Sequence, residues 1–401
     1  MDMQVPARSG RDASVLNHRR LCKIASSPHA YVRGSTARFY ELLAGMPAGT
    51  LPEGPPVWIC GDAHLGNLGA LAGPDGGIDI QIRDLDQTVV ANPAFDLVRL
   101  ALSLVTAALN ATLPGIVTAR MMDAMADGYA DGIADPEGAE RGVDPSEIVV
   151  TTKRRALGRR WRHLSRERLK GKAARLPRGS RFFDLDADEQ DSLTALIRDP
   201  EIRRLVLALG SAADDAEIRL LDAAYWIKGC SSLGRLRYAA LVEVLGGDRP
   251  QLALLDVKEA VPHLAPAAGI AVPPDHAARV VAGARALSPN LGDRMVAGHI
   301  GGTPVTVREL LPQDLKIDAE QFSRGEAVRV SRHLAAILGR AHGRQMGAAD
   351  RRAWIDAVRA PGPGPDAPGW LWSVVTDLMG AHQRGYLEHC RRIAREALDA
   401  A

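Results

Sequence analysis

Cysteine is scarce in this 401-residue sequence. The four cysteines, Cys22, Cys60, Cys230 and Cys390, are scattered and none of them forms a C-x-x-C pair. Paired, regularly spaced cysteines are what zinc sites and disulfide frameworks require, so this pattern argues against both. The chain must therefore be held together by an apolar core.

Long apolar runs are also absent. The longest apolar helix candidate, residues 97–109, contains Arg99 and is shorter than the ~20 residues that a bilayer-spanning helix needs. Residues 1–27 are polar and basic, whereas a secretory signal needs an apolar centre of roughly 7–15 residues. These features predict a cytoplasmic protein without a membrane partner.

Aromatic residues make up only 4% of the chain, and the formal net charge is only +2. Positive charge is concentrated between Lys153 and Arg181, where Glu167 is the only acidic residue. Because few aromatic side chains are interleaved with these cations, base stacking is disfavoured and nucleic acid is not expected as a partner. The segment is interpreted either as a solvated helix or mobile loop, or as a flap that binds an acceptor or a phosphate.

Hydrophobic residues account for 46% of the chain and the mean hydropathy is −0.09, which is typical of a globular protein with a large core. Leu311-Pro312 is interpreted as a hinge, and 361–368 as a loop. Periodicity predicts helices at 33–43, 94–131 (one or two helices), 190–209, 211–223, 327–343 and 370–398, and strands at 56–60, 78–82, 225–228, 239–245 and 252–258.

The most informative motif is GDAHLGN (residues 61–67), followed by Asp84-Leu85-Asp86. A carboxylate such as Asp62 can orient and deprotonate an acceptor hydroxyl group. The amide oxygen of Asn67 and the carboxylate of Asp84 are oxygen donors of the kind that hold magnesium against phosphate oxygens. Asp86 could share or replace the role of Asp84 as a metal ligand.

A second motif follows much later in the chain. A predicted strand leads into the glycine-rich segment GCSSLG (residues 229–234), and two more predicted strands follow, the last of which ends at Lys258. Glycine allows backbone amides to approach a phosphate, and a lysine on a strand neutralises phosphate charge. The pattern predicts nucleotide contacts from Gly229, Ser231, Ser232, Gly234 and Lys258.

Together, the two motifs resemble the aminoglycoside phosphotransferase and protein kinase-like superfamily, with Cys60 at the position where that superfamily usually has histidine. The resemblance implies a phosphotransferase that uses ATP and Mg²⁺ and acts on an unknown acceptor. It implies that Asp96 begins a helix that braces the first motif. The site residues that it implies are Asp62 as the catalytic base, Lys258 as the phosphate-binding lysine, and Asn67, Asp84 and Asp86 as metal ligands.

The order of the motifs is reversed relative to ordinary kinases, in which the glycine loop precedes the catalytic loop. The resemblance therefore implies an α+β, two-lobed, kinase-like fold that is circularly permuted. We expect residues 1–210 to form the first part of a large lobe and residues 211–312 to form a small β-rich nucleotide-binding lobe. Residues 313–401 are expected to complete the large lobe with helices. Lys258 and Asp84 must then face the same cleft.

The whole chain, from about residue 27 to 345, more closely resembles an uncharacterised bacterial family known only as a domain of unknown function. That resemblance implies no activity, so the activity must come from the site. The landmarks that carry it are Ser27–Gly34, the GDAHLGN loop, Asp84-Leu85-Asp86, Val257–Ala260 and Val307–Leu310.

One part of an active kinase is missing from the pattern, namely a glutamate that pairs with the strand lysine from the following helix. Between Lys258 and Glu309 the only glutamate is Glu259, whose side chain is expected on the opposite face of the strand. The candidate helix offers only Asp275 near its start. Lys258 is expected to pair with Asp275, with a phosphate only, or with nothing. The alternative function is a nucleotide-binding regulatory protein without turnover.

A different enzyme class competes for the first motif. Asp62-Ala63-His64 also fits the Asp-x-His opening of binuclear metallophosphoesterases. Those enzymes need further metal-binding motifs, of which only the fragments Gly292-Asp293 and Gly298-His299 are present, and no Asn-His pair follows the loop. The sequence therefore favours the phosphotransferase over the metallophosphoesterase.

Overall fold

The architecture was established from a computed structural model, which describes residues 11–73, 76–138, 146–168, 175–210, 216–229, 233–245, 250–317, 323–361 and 369–399.

The fold is mixed α+β, in agreement with the expected class. The helices are α1 (Ala13–Ile24), α2 (Pro28–Gly34), α3 (Thr36–Ala44), α4 (Ala94–Asn110), α5 (Gly115–Ala134), α6 (Glu147–Leu157), α7 (Trp161–Arg168), α8 (Ala187–Ile197), α9 (Pro200–Gly210), α10 (His276–Leu287), α11 (Pro289–Gly292), α12 (Arg324–Gly343), α13 (Ala348–Val358) and α14 (Trp370–Asp399). The strands are β1 (Val57–Ile59), β2 (Leu68–Ala72), β3 (Ile78–Ile82), β4 (Val89–Ala91), β5 (Phe182–Phe183), β6 (Glu217–Trp226), β7 (Arg237–Leu245), β8 (Gln251–Glu259), β9 (Met295–Ile300), β10 (Thr303–Glu309) and β11 (Leu315–Lys316).

The largest sheet has six antiparallel strands in the order β5-β6-β7-β8-β10-β9. Successive side chains on a strand point to opposite faces. Alternate residues of β7 and β8, such as Tyr238 and Val257, pack in a core with α8 and α9. The intervening residues Arg237, Asp256 and Lys258 therefore lie on the other face. That face, away from α8 and α9, is the one that borders the candidate site.

Two small sheets position the first motif. Strand β1 pairs with β4, and β2 pairs with both β3 and β11. The GDAHLGN loop connects β1 to β2 and includes a short 3-10 turn at Leu65–Asn67. The segment Asp84–Asp86 connects β3 to β4. The two parts of the motif are thus loops at neighbouring strand ends, which explains why residues seventeen positions apart in sequence meet in space.

A large core joins these small sheets to helices α2–α6 and α12–α14. Helices α5 and α12 pack closely within this core. A Cβ atom built on Gly132 would lie 2.2 Å from the carbonyl oxygen of Ala336, and one built on Gly339 would lie 2.2 Å from that of Tyr129. Glycine at both positions allows the two helix backbones to approach each other directly.

A separate core lies between the six-stranded sheet and helices α8 and α9, and a smaller cluster around Trp226 and Leu164 covers part of the opposite face. Helices α8 and α9 pack on the sheet that follows them. The division of the chain at residue 210 stays a prediction. None of the helices within the described ranges combines the length and apolarity needed to cross a bilayer.

Most of the predicted elements are present. Helices α12 and α14 confirm the predictions at 327–343 and 370–398, and the predicted helix at 190–209 is two helices, because Pro200 begins a new one. The helix predicted at 211–223 is wrong, because β6 covers its second half. A bulge after Leu220 shifts the pairing register and interrupts the alternation that would have indicated a strand. Residues 211–215 lie outside the described residues.

Candidate functional site

A cavity of about 670 Å³ lies between the GDAHLGN loop and the six-stranded sheet. Its volume is within the range of roughly 300–1,000 Å³ that is usual for ligand pockets. Two carboxylates, Asp62 and Asp84, line the cavity, and many more cationic side chains line it with them. The lining cations are Arg19, Lys23, Arg33, Arg83, Arg181, Lys228, Arg237, Arg308 and Lys316. Such an excess of positive charge favours an anionic ligand.

Helix α4 fixes the position of the GDAHLGN loop through hydrogen bonds to the backbone at the start of the loop. The buried carboxylate of Asp96, in the first turn of α4, accepts hydrogen bonds from the backbone N–H groups of Cys60 (2.6 Å) and Gly61 (2.9 Å). The hydroxyl group of Tyr40 donates to the carbonyl oxygen of Gly61 at 2.7 Å. Asp96 thus begins the helix that braces the loop, as the sequence resemblance implied.

Gly61 adopts a left-handed conformation with φ of +73°. A Cβ atom at this position would lie 2.2 Å from the carbonyl oxygen of Gln87. Both the backbone conformation and the close approach require glycine here. The turn directs the following residue, Asp62, into the cavity.

The carboxylate of Asp62 is 16% exposed and accepts a hydrogen bond from Arg99 Nε at 2.9 Å. Burial raises the pKa of Asp62, and the charge of Arg99 only partly offsets this effect. Asn67 is buried, and its Nδ2 atom donates to the backbone oxygen of Asp62 at 2.9 Å. Its amide oxygen is therefore the group that remains to bind a ligand. His64 is buried beside them, with Nε2 3.9 Å from Asp62.

Lys258 connects the six-stranded sheet to the Asp84–Asp86 segment. Its ammonium nitrogen lies 3.1 Å from Asp84 Oδ1 and also forms an ion pair with Asp86. The side chain of Asp84 is 41% exposed at the cavity, whereas that of Asp86 is 16% exposed. The structure thus brings Lys258, Asp84 and Asp86 together.

Asp84 and Asp86, the two carboxylates that pair with Lys258, have pKa shifts in opposite directions. Burial raises the pKa of Asp84, but the charges of Lys258, Arg308 and Arg237 outweigh burial and hold this pKa below its usual range. Burial and the charge of Asp84 raise the pKa of Asp86 to about 6. The opposite shifts therefore arise because the cations act mainly on Asp84, whereas Asp86 is dominated by burial and by the charge of its neighbour.

A further set of charges lies beside Lys258 on the same face of the sheet. Asp256 binds Arg237 through two hydrogen bonds of 2.8 and 2.6 Å, and it also lies 3.3 Å from Arg308 and 3.9 Å from Lys228. Burial raises the pKa of Asp256, but these cations outweigh it and lower the pKa. Sequence reasoning missed this cluster, although the period of two on β7 and β8 places Arg237 and Asp256 on the same face as Lys258.

The glycine-rich segment also borders the cavity. Gly229 lines it with φ of +82°, and its carbonyl oxygen accepts a hydrogen bond from Lys23 at 3.0 Å. Gly234 has φ of +84° and a surrounding space that is open. The predicted nucleotide contacts Ser231 and Ser232 lie outside the described residues.

Helix α10 supplies no acid to Lys258. Asp275 caps this helix and lies 2.9 Å from Nε2 of His299, so Lys258 pairs with Asp84 and Asp86 instead. The helix contributes Arg279, which is buried and donates to the backbone oxygens of Asp86, Thr88 and Val261. This arginine, which sequence reasoning also missed, fixes the position of the segment that carries the two carboxylates.

The donor set fits magnesium rather than a softer metal. Asp84, Asp86 and Asn67 would supply carboxylate and amide oxygens, the ligands that Mg²⁺ prefers. Across the described ranges, no group of three His, Cys, Asp or Glu residues is arranged to hold a metal. The predicted metal ligands include only two residues of these types, Asp84 and Asp86. His299, one of the metallophosphoesterase fragments, lies on β9 and does not line the cavity.

The basic segment 153–181 contributes to the cavity through Arg181, at its end. Helices α6 and α7 contain much of this segment, and residues 169–174 lie outside the described residues. Its interpretation as a phosphate-binding flap stays a prediction.

One protein family matches almost the whole chain. The family described as "Uncharacterized protein conserved in bacteria (DUF2252)" matches residues 11–392. No curated protein and no solved structure matches the chain.

Proposed function

Because the chain belongs to this bacterial family, whose description names no activity, we propose its function from the geometry of the cavity. The protein is an ATP- and Mg²⁺-dependent phosphotransferase that acts on a hydroxyl group. Its two-lobed arrangement corresponds to a kinase-like fold in circularly permuted order.

The observation that carries this proposal is the contact between Lys258 and Asp84, which are 174 residues apart in sequence. No local periodicity requires a lysine at the end of β8 to meet the segment after β3. A phosphotransferase site does require it, because the lysine and the metal-binding carboxylate act on phosphates of one ligand. Asp62, Asn67 and Gly229 line the cavity beside this contact.

Each residue has a role in the proposed reaction. Lys258 and the cations around Asp256 hold the phosphates of ATP, and Asp84, Asp86 and Asn67 hold Mg²⁺. The metal, when bound, neutralises charge on the phosphate oxygens. The acceptor oxygen forms a bond to the γ-phosphorus while the bond from that phosphorus to ADP breaks. The proton of the acceptor hydroxyl passes to Asp62, whose raised pKa suits a base.

The proposal extends to the order of the lobes. The catalytic loop and the metal-binding segment come from residues before 90, and the lysine and the glycine-rich segment come from strands β6–β8. In an ordinary kinase the strands come first. A permuted connection leaves the same parts around one cleft, and the cleft is what the chemistry needs.

The first experiment measures binding of ATP with and without Mg²⁺, and release of ADP, by the wild-type protein and by Asp84→Ala and Asp86→Ala. We expect Asp84→Ala to weaken Mg²⁺-dependent binding more than Asp86→Ala does, because Asp84 is the more exposed carboxylate at the cavity. A ligand at a hundred times its dissociation constant stabilises the fold by about 2.7 kcal/mol, which a thermal shift detects. Equal, unchanged shifts in both variants would contradict the metal assignment.

A nucleotide-binding regulatory protein without turnover is the second candidate. The observation that favours it is that Asp275 pairs with His299, so that α10 provides no acid to orient Lys258. Steady release of ADP supports the phosphotransferase. Tight Mg²⁺-dependent ATP binding without phosphoryl transfer or hydrolysis supports the regulator.

A further inference from the structure

The wall of the cavity on the side of the GDAHLGN loop carries cations that the proposed nucleotide site does not use. We name them the loop-side cluster: Lys23 on α1, Arg33 on α2, Arg83 after β3 and Lys316 on β11, all of which line the cavity. The cations on the sheet, in contrast, gather around the buried carboxylate of Asp256. The two groups meet where Arg308 donates a hydrogen bond to the backbone oxygen of Arg83 at 3.0 Å, but it is the sheet cations that contact Asp256.

The loop-side cluster is packed directly against the catalytic loop. A Cβ atom on Gly66 would lie 2.8 Å from Nη2 of Arg33, and one on Gly69 would lie 2.7 Å from Cδ of Arg83. Lys316 is paired with Gly69 in the sheet register. Glycine at position 66 thus lets Arg33 pack against the loop next to Asn67, whereas a Cβ atom on Gly69 would also meet the carbonyl oxygen of Leu315.

The cations of the cluster interact electrostatically with one another. Burial lowers the pKa of Lys316. The charges of Arg33, Arg83 and Lys23 lower it further, whereas the charge of Asp84 raises it. Of the carboxylates that line the cavity, Asp62 is bound by Arg99 and Asp84 by Lys258. A dianion placed among these cations would relieve their mutual repulsion.

We propose that the acceptor is itself an anion: a small hydroxyl compound that carries a phosphate group, which binds to the loop-side cluster while its hydroxyl faces Asp62. The inference rests on the proposed phosphotransferase function and adds the chemical class of its second substrate. Arginine and lysine side chains together suit a phosphate, because the guanidinium group binds two oxygens at once and the ammonium group adds charge.

The test uses inorganic phosphate as the probe. Its dissociation constant is measured by calorimetry on the full chain at fixed ionic strength, with and without a saturating non-hydrolysable ATP analogue and Mg²⁺. The variants are Arg33→Gln, Lys316→Met and Lys23→Gln. Lys23 is exposed on α1, so its replacement leaves the core intact. The matched control is Arg204→Gln, an exposed arginine on α9 that is absent from the cavity lining.

We expect the phosphate dissociation constant to rise about tenfold in Arg33→Gln and in Lys316→Met, because each loses a charged hydrogen bond. Lys23→Gln should show a smaller rise, and Arg204→Gln none. In Arg33→Gln and Lys316→Met, the affinity for the ATP analogue should stay within about threefold of wild type, since the phosphates of the analogue are expected on the sheet side.

Two results would overturn the inference. One is a phosphate affinity that the three variants leave unchanged. The other is a loss of ATP-analogue affinity as large as the loss of phosphate affinity, which would assign these cations to the nucleotide. Failure of the wild-type protein to bind the analogue at all is a separate result, which would overturn the proposed function and with it the acceptor role.

Discussion

Asp62 accepts a hydrogen bond from Arg99 and nevertheless has a pKa above its ordinary value, because burial outweighs the arginine charge. A base is most effective when its pKa approaches the working pH. The arginine fixes the orientation of the carboxylate through Oδ1, and Oδ2 lies 3.9 Å from Nε2 of His64. Proton transfer requires a carboxyl group that can be both charged and protonated, and the environment of Asp62 is compatible with both forms.

We expect Asp62→Asn to lose phosphoryl transfer by roughly 10²–10⁴-fold, the usual contribution of a positioned general base. The asparagine oxygen can still accept the hydrogen bond from Arg99, so the fold and ATP binding should be retained. Steady-state transfer and ATP binding are measured on the same preparation. The control is Asp131→Asn, a partly exposed surface residue paired with Arg332. A variant within threefold of wild type would remove Asp62 from the mechanism.

The raised pKa of Glu309, at the end of β10, should make the stability of the fold depend on pH. Burial raises its pKa to about 7, and the charge of Arg294 offsets burial only in part. The folded state therefore favours the neutral form. This contribution is fully present below pH ~4.5 and is lost as the pH rises through about 7.

We expect the wild-type free energy of unfolding to fall between pH 5 and pH 8 by about 2.5 kcal/mol more than that of Glu309→Gln, since one pKa unit corresponds to ~1.4 kcal/mol. Urea unfolding at several pH values provides the measurement. Glu201→Gln, at an exposed position on α9, should follow the wild-type profile. Parallel profiles for wild type and Glu309→Gln would show that Glu309 ionises normally.

Among the elements, the β1–β2 connection has a strict backbone requirement at Gly61. Gly61 and Gly49 both have positive φ, of +73° and +81°. A Cβ atom on Gly61 would meet the carbonyl oxygen of Gln87, whereas one on Gly49 has nothing within 4 Å. Replacing each glycine by alanine therefore distinguishes the cost of backbone strain, which both positions share, from the cost of a steric clash, which arises at Gly61.

We expect Gly49→Ala to cost about 1–2 kcal/mol, the strain of a left-handed alanine. Gly61→Ala should cost clearly more and should also abolish activity, because the loop must move away from Gln87 and take Asp62 with it. Chemical unfolding and ATP turnover are the measurements. Equal losses of stability in the two variants, with activity preserved in Gly61→Ala, would contradict the role assigned to this turn.

Elements with strong local signals could be predicted from the sequence. The long amphipathic helices α12 and α14 and the alternating strand β3 are examples, because their periods are set by local geometry. Strand β6 could not be predicted, since a bulge interrupts its period and its conformation depends on pairing with β7. The function of α10 was also not evident, because the contact of Arg279 with the Asp86–Thr88 backbone is a long-range one.

For the whole molecule, the candidate site combines segments that are remote in sequence. The motifs predicted Asp62, Asn67, Asp84 and Lys258, and the predicted proximity of Lys258 to Asp84 is confirmed. What the motifs could not predict is which other side chains reach the cavity. Lys23 and Lys316 reach it from α1 and β11, which carry no recognisable motif, and their convergence depends on tertiary packing.

The proposed phosphotransferase function requires one nucleotide to bind between Lys258 and Asp84. The most direct measurement is an experimental structure of the full chain with a non-hydrolysable ATP analogue and Mg²⁺. We predict phosphate oxygens within hydrogen-bond distance of the Lys258 ammonium nitrogen, about 2.7–3.2 Å, and Mg²⁺ bound to Asp84. A nucleotide bound away from Lys258, or a metal held by other residues, would contradict the account.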